Sequence, residues 1–143
     1  MMNLESRKAG KKLGQSELTE RVIGAAIRVH TELGPGFLES IYEEAMAIEF
    51  TASGIPFERQ KVVPILYGEH HVGEHRLDFL VAGSVVIELK AISEVLVIHF
   101  AIVRSYLKAA GCLDGLLLNF ASAPLTIKRV TRERRAALDN VFM

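Results

Sequence analysis

The first third of the chain has the apolar spacing of two amphipathic helices. Apolar residues recur every three or four positions between residues 17 and 32, which predicts a helix with Ser16 as its N-cap. A Gly-Pro-Gly stretch at 34–36 ends this helix, because proline lacks an amide hydrogen and glycine accepts turn conformations. A second helix is predicted over residues 37–53. Its expected buried residues are Leu38, Ile41, Tyr42, Ala45, Met46, Ile48 and Phe50.

The rest of the chain has the alternation of strands, interrupted by one long apolar helix. Three strands are predicted over residues 56–66, 70–81 and 85–91, and a loop at 82–84 joins the last two as a tight hairpin. The remaining predicted elements are an almost wholly apolar helix over residues 94–110, strands over 116–120 and 126–130, and a short basic helix over 131–141. The first three strands are close enough for an antiparallel meander, and the long helix predicts a right-handed parallel crossover to the fourth. This order predicts a single α/β domain with a mixed sheet flanked by helices.

Composition and length fit one globular domain, with 50% hydrophobic and 24% charged residues among 143. We expect residues 1–15 to form a flexible basic arm and residues 16–143 to form the domain. The N-terminal residues lack the apolar stretch of a secretory signal, and no apolar run approaches the roughly 20 residues of a membrane span. Cys112 is the single cysteine, which excludes an internal disulfide and suits a buried position. These features indicate a cytoplasmic protein without a membrane partner.

The charge balance gives no overall argument for nucleic-acid binding, because 17 basic and 17 acidic residues cancel. Basic residues are nevertheless concentrated near both ends of the chain. Lys128, Arg129 and Arg132 are candidates for contacts with phosphates if the basic ends meet on one face, and a solvated surface is the alternative.

The predicted hairpin brings two acids and a lysine together. Asp78 and Glu88 are equally distant from the centre of the 82–84 loop, so we expect them to face each other with Cβ atoms about 4.5–5.5 Å apart. Lys90 follows Glu88 by two positions and therefore lies on the same face of its strand. Two facing carboxylates in an apolar sheet repel each other, and a divalent cation between them removes the repulsion. The alternative is that Lys90 neutralises one carboxylate on a solvated face of the sheet.

These residues carry a resemblance to a known superfamily. Asp78 followed by Glu88-Leu89-Lys90 resembles the signature of the PD-(D/E)XK nucleases. The run GFLESIY over residues 36–42 resembles the GxxExxY motif, which names a small bacterial family within that superfamily. The resemblance extends from about residue 18 to residue 130. It implies a restriction-endonuclease-like αβββαβ core and a nuclease that hydrolyses phosphodiester bonds in DNA or RNA with Mg²⁺ or Mn²⁺.

The resemblance also implies roles for individual residues. Asp78 and Glu88 would bind the metal, the carbonyl of Leu89 would be a further ligand, and Lys90 would be catalytic. Glu39 corresponds to an acid that often completes such a site. Taken alone, Glu39 is also a residue type that the helix dipole favours in a first turn.

Four further residues are candidates for contacts behind the metal ligands. Tyr42 lies on the same helix face as Glu39, where it packs under the site or hydrogen-bonds a carboxylate, and plain core packing is the alternative. The resemblance places His30, His99 and Tyr106 at recurrent positions of the family. For the two histidines the alternative is an ordinary half-buried side chain.

Position 102 departs from the family pattern. The family usually has a glutamine there, three residues after His99, whereas this chain has Ile102, whose side chain cannot donate a hydrogen bond. The loss of one such donor costs about 10²–10³ in rate at oxyanion-type sites. The alternative function is therefore a weak or inactive nuclease fold that serves as an interaction module, with the apolar helix over residues 94–110 as a homodimer face.

Overall fold

Eight elements of secondary structure form over residues 14–132, which are the residues that the computed structural model describes. In chain order they are α1 (Gln15–Leu33), α2 (Glu39–Ala52), β1 (Phe57–Tyr67), β2 (His70–Val81), β3 (Val85–Lys90), α3 (Val97–Ala110), β4 (Asp114–Asn119) and β5 (Thr126–Thr131). The predicted α/β domain is confirmed, because a five-stranded mixed sheet and three helices form over these residues in the expected order.

The strands lie in the sheet in the order of the sequence, β1-β2-β3-β4-β5. All neighbours are antiparallel except β3 and β4, which are parallel because α3 crosses over between them. The β2–β3 hairpin is closed as predicted, with Val81 opposite Val85. Ala82 and Gly83 have φ values of 51° and 67°, the left-handed conformation that tight hairpin turns favour. The predicted meander and parallel crossover are thus both confirmed.

Each face of the sheet has its own buried core. α1 and α2 cover one face, and the large side chains fully buried there include Tyr42, Phe50, Phe79 and Phe120. The other face packs against α3 through Val103 and Leu107, and Cys112 is buried beside them as predicted. None of the helices over residues 14–132 is long and apolar enough to cross a bilayer.

α3 approaches the sheet closely at Gly115 of β4. A Cβ atom at this position would lie 3.1 Å from the carbonyl oxygen of Val86 and 3.2 Å from a methyl carbon of Leu107. Because glycine has no side chain, α3 can pack closely against β3 and β4. This packing fixes the position of α3, which passes over the end of β3.

The predicted start of the first helix is wrong. α1 begins at Gln15 with Gly14 as its N-cap, not Ser16. Oε1 of Glu17 accepts a hydrogen bond from the Gly14 amide at 3.3 Å, which satisfies one of the free amides at the helix start. Gln15, the last residue of the flexible arm predicted over residues 1–15, is helical, and the arm itself stays a prediction. Residues 1–13 lie outside the described part of the chain.

Two other predicted boundaries also shift. α3 begins at Val97 instead of residue 94, because Leu96 is extended and its amide donates a hydrogen bond to Nδ1 of His99 at 2.8 Å. The basic helix predicted from residue 131 does not begin there, since Thr131 is the last residue of β5. The rest of that prediction, beyond residue 132, lies outside the described residues.

α2 buries a narrower stripe than its sequence predicts. Its buried residues are Tyr42, Met46, Ala47 and Phe50, which form a single line along the helix. Three of the seven expected residues are instead exposed, namely Leu38, Ile41 and Ile48. Leu38 is 75% exposed because it precedes the helix as its N-cap. Ile41 and Ile48 lie on the side of the helix that faces away from this stripe, so they are exposed to solvent.

Candidate active site

β2 and β3 bring two acids together at the end of their hairpin that is remote from the turn. The ladder pairs Phe79 with Ile87, so Asp78 and Glu88 are the next residues opposite each other. Oδ2 of Asp78 accepts a hydrogen bond from the amide of Leu89 at 2.8 Å. The carboxyl groups of the two acids are close enough to share a hydrogen bond.

Lys90 completes this group on the face of β3 that α3 covers. Val86 of β3 packs in the core under α3, and alternation along the strand places Glu88 and Lys90 on the same face. Nζ of Lys90 is 3.4 Å from Oε2 of Glu88, and 22% of the lysine side chain is exposed. The ammonium group therefore lies between a buried carboxylate and solvent.

Asp78 lies at a point in β2 where the regular alternation of side chains between the two faces of the sheet is interrupted. Phe79 packs under α1 and α2, whereas Leu77, two residues earlier, packs under α3. Gln60 lies opposite Asp78 between two regular ladder pairs, and its φ of 49° is left-handed. This local twist of both strands gives Asp78 neighbours from both faces of the sheet.

Burial and mutual repulsion retain a proton at the two acids. Glu88 is only 7% exposed, and burial together with the charge of Asp78 raises its pKa from 4.5 to about 8. Burial also raises the pKa of Asp78, and the charges of Glu43 and Glu39 raise it further, against the hydrogen bond from the Leu89 amide, which lowers it. The pair by itself therefore does not carry two full negative charges at neutral pH.

α2 contributes two acids beside this pair. Oε2 of Glu39, an exposed residue in the first turn, accepts a hydrogen bond from the amide of Ala91 at 3.3 Å. Oε1 of Glu43, one turn later, accepts a hydrogen bond from the side-chain Nε2 of Gln60 at 2.8 Å. Glu39 was expected here and Glu43 was not, although its spacing of four residues from Glu39 is a signal that could have found it.

Tyr42 holds the loop before α2, and its hydroxyl bonds backbone groups instead of a carboxylate. The hydroxyl donates a hydrogen bond to the carbonyl oxygen of Gly34 at 2.6 Å and accepts one from the amide of Phe37 at 3.2 Å. Its ring stacks on Phe120 with the ring centroids 4.5 Å apart. Tyr42 is therefore packed in the core, and its hydroxyl fixes the loop that leads to Glu39.

The two helix histidines both have backbone partners. Nε2 of His30 is 2.8 Å from the carbonyl oxygen of Ser122, in the loop that follows β4. Nδ1 of His99 accepts the Leu96 amide at the start of α3. These contacts match the ordinary interpretation of such histidines, and they hold the loops near the ends of β3 and β4.

Tyr106 is the α3 residue that faces the acids. Burial raises the pKa of its hydroxyl, and the charges of Glu88 and Asp78 raise it further. Its ring meets the ring of His75 edge-on, with centroids 4.5 Å apart. Ile102, one turn earlier, is half-buried and has only apolar side-chain atoms, so no hydrogen-bond donor comes from that position.

Asn119 is a buried polar residue for which the sequence predicted no role. Its amide exchanges two hydrogen bonds with the backbone of Ile92, at 3.0 Å to the Ile92 amide and 2.9 Å to the carbonyl. The next amide, of Phe120, donates to the carbonyl of Lys90 at 2.8 Å. Asn119 therefore ties the segment after β3 to the end of β4. Its position at the end of a buried apolar strand is the signal that could have found it.

The basic residues predicted to contact phosphates do not share one face. Lys128 and Arg129 are neighbours in β5, so their side chains lie on opposite faces of the sheet. Nη1 of Arg129 donates to the hydroxyl of Thr19 in α1 at 2.9 Å, on the face opposite Glu88. Arg132 follows the end of β5. Their contact with nucleic acid stays a prediction, and these positions do not form one continuous patch.

The donor set suits a hard cation that takes few protein ligands. Residues 14–132 contain no group of three or more His, Cys, Asp and Glu side chains placed to hold one ion. Mg²⁺ commonly uses one or two carboxylates and completes its shell with waters and substrate phosphate. The close carboxyl groups of Asp78 and Glu88 fit that requirement. The backbone contact seen at Leu89 is through its amide, and a ligand role for its carbonyl stays a prediction.

Comparisons with known proteins agree with this geometry. A model of the PD-(D/E)XK nuclease superfamily matches residues 16–130 of the chain. No curated protein matches it. The solved structure described as "Crystal structure of SSO0001" has a similar fold, with a TM-score of 0.54 and 16% sequence identity. That similarity covers 87% of this chain and 74% of the other, and at this identity it concerns the fold alone.

Proposed function

Because the chain belongs to the PD-(D/E)XK nuclease superfamily, we propose that it hydrolyses phosphodiester bonds in DNA or RNA with a divalent cation, Mg²⁺ or Mn²⁺. The observation that carries the proposal is the buried pair of Asp78 and Glu88 with Lys90 beside it. Without a cation, the two carboxyl groups must keep a proton between them. This arrangement is unfavourable for the stability of the protein and favourable for binding a cation.

Each residue of the group has a distinct task in this proposal. Asp78 and Glu88 hold the cation, which would lower the pKa of a bound water and neutralise charge on the scissile phosphate. Lys90 Nζ, at the solvent side of Glu88, hydrogen-bonds the attacking water or a phosphoryl oxygen and stabilises negative charge there. Glu39, exposed at the rim, supplies an auxiliary carboxylate toward the same space.

The finer family assignment rests on the α2 motif. Glu39 and Tyr42 are the acidic and aromatic positions of the GxxExxY pattern, and we assign the chain to that bacterial family on this basis. Their separate tasks support the assignment, since Tyr42 fixes the loop over residues 34–37 and Glu39 lies next to the end of β3. Location in the cytoplasm stays a prediction.

The cleavage assay compares wild type with Lys90→Ala in Mg²⁺ and in Mn²⁺, on single- and double-stranded DNA and RNA. We expect wild type to cleave at least one substrate and Lys90→Ala to lose about 10²–10⁴-fold in rate, because a positioned charge near the reacting phosphate is removed. Lys108→Ala is the matched control, an exposed lysine near the end of α3, and should cleave like wild type. If wild type and Lys90→Ala are equally silent on every substrate, the catalytic proposal is wrong.

Exposed apolar residues at the start of α3 favour a second candidate, a weak or inactive nuclease fold that forms a homodimer. Leu96, Val97 and Ile98 are exposed, with Val97 at 81%. The candidate predicts a dimer in light scattering at high concentration that Val97→Glu dissociates. Val72→Glu, at an exposed position of β2, should leave the dimer intact. A strict monomer for wild type at the highest concentration removes this candidate.

A further inference from the structure

Gln60 connects two acids that belong to different elements. Its Nε2 donates to Oε1 of Glu43 in α2 at 2.8 Å and lies 3.5 Å from Oδ1 of Asp78 in β2. We propose that Gln60 is a positioning residue whose amide separates Glu43 from Asp78 and holds the Asp78 carboxylate in its cation-binding orientation. This inference rests on the proposed function, because the orientation of Asp78 serves the binding of the proposed cation.

Both oxygens of Asp78 are placed next to neutral donors. Oδ2 accepts the Leu89 amide at 2.8 Å, and Oδ1 faces the Gln60 amide. Neutral donors fix a carboxylate without cancelling the negative charge that a cation needs, unlike a lysine or arginine partner. Carboxylates that bind metals are commonly held by such a second set of hydrogen bonds.

Glu43 explains why a separating group is needed. Its charge acts on Asp78 from α2, and Arg59 neutralises part of it at 3.0 Å. The Gln60 amide has two hydrogens, so one can bind Glu43 while the other is directed at Asp78. The two carboxylates therefore meet through the amide and not directly.

The backbone of Gln60 is unusual for its place in the fold. Among residues 14–132, only Gln60 and Ala82 combine a side chain with a positive φ, at 49° and 51°. Ala82 is in the tight turn of the β2–β3 hairpin, where the conformation belongs to the turn. Gln60 is inside a strand, where a left-handed residue is strained and glycine would be easier to accommodate. Strain of this kind is typical of positions that a site requires.

The test uses glycine, because it relieves the backbone and removes the amide together. Gln60→Gly should unfold at a temperature close to that of wild type, because relief of the left-handed backbone offsets the lost side-chain contacts and the added freedom of the unfolded chain, yet it should bind Mg²⁺ at least about tenfold more weakly in calorimetry. Ala82→Gly is the matched control, since it relieves the same conformation away from the site and should keep the Mg²⁺ affinity of wild type. If Gln60→Gly retains wild-type affinity, the proposal is overturned.

A second measurement on the metal-free protein separates this proposal from the nuclease proposal. Unfolding temperatures are compared for Gln60→Gly, Asp78→Asn and the double variant. A contact between the two side chains predicts that the shifts do not add. Additive shifts overturn the positioning role. Non-additive shifts in a protein whose wild type binds no Mg²⁺ support the contact and contradict the nuclease proposal instead.

Discussion

Glu88→Gln is expected to make the metal-free protein more stable at pH 8–9 and to remove its stabilisation by Mg²⁺. The wild-type carboxyl is buried beside Asp78, and its pKa is raised from 4.5 to about 8. A glutamine has nearly the same shape and no charge to bury. Since one pKa unit corresponds to about 1.4 kcal/mol, we expect a gain of about 2–4 kcal/mol in the free energy of unfolding.

The pH dependence of this gain identifies its cause. Below pH 4.5 the wild-type glutamic acid is protonated both folded and unfolded, so it adds no pH-dependent cost. Between pH 4.5 and about 8 the folded state keeps the proton that the unfolded state has lost, and wild-type stability falls as the pH rises. Above about pH 8 both states are ionised and the cost is complete. The gain from Glu88→Gln should therefore grow across this window and then level off.

Chemical denaturation at several pH values measures the difference between the two proteins. Glu49→Gln is a matched control, because Glu49 also pairs with a cation, Arg28 at 2.7 Å, but at a more exposed position. Loss of this exposed ion pair should lower the free energy of unfolding by no more than about 1 kcal/mol, whereas Glu88→Gln should raise it. A Glu88→Gln protein that is less stable than wild type at pH 8–9 would show that the buried carboxylate is not a strained metal ligand.

The affinity of wild type for Mg²⁺ is expected to rise about tenfold per pH unit between about pH 6 and pH 8. Binding to the ionised pair must release the proton that Glu88 keeps below about pH 8. The rise should flatten once that carboxyl is ionised in the free protein. Calorimetry in buffers of different ionisation enthalpy would also count the protons released. An affinity that does not change with pH would exclude this pair as the binding site.

Regular elements and the hairpin register could be predicted from the sequence, because both follow from local periodicity. The 82–84 loop places Asp78 opposite Glu88 by counting alone, and the structure brings their carboxyl groups together. The helix ends were less predictable. The hydrogen bonds of Glu17 with Gly14 and of His99 with Leu96 set where α1 and α3 begin, and periodicity does not include such contacts.

Contacts between elements distant in the chain could not be predicted in this way. Gln60 and Glu43 meet only because α2 packs beside the edge of the hairpin, and the left-handed φ of Gln60 has no signal in its own sequence. The basic residues near the C-terminus show the reverse case. A phosphate-binding face was expected only if the basic ends of the chain meet, and alternation in β5 separates Lys128 from Arg129, which binds Thr19.

A calorimetric titration of wild type and Asp78→Asn with Mg²⁺ is the most informative next step. Asparagine keeps the size of the side chain and an oxygen for the Leu89 amide, but removes one of the two carboxyl groups that would hold the ion. If an ion is shared across the hairpin, wild type binds Mg²⁺ with a stoichiometry near one, and Asp78→Asn binds at least about a hundredfold more weakly. Equal binding by both proteins, or no binding by wild type at any pH, would contradict the account.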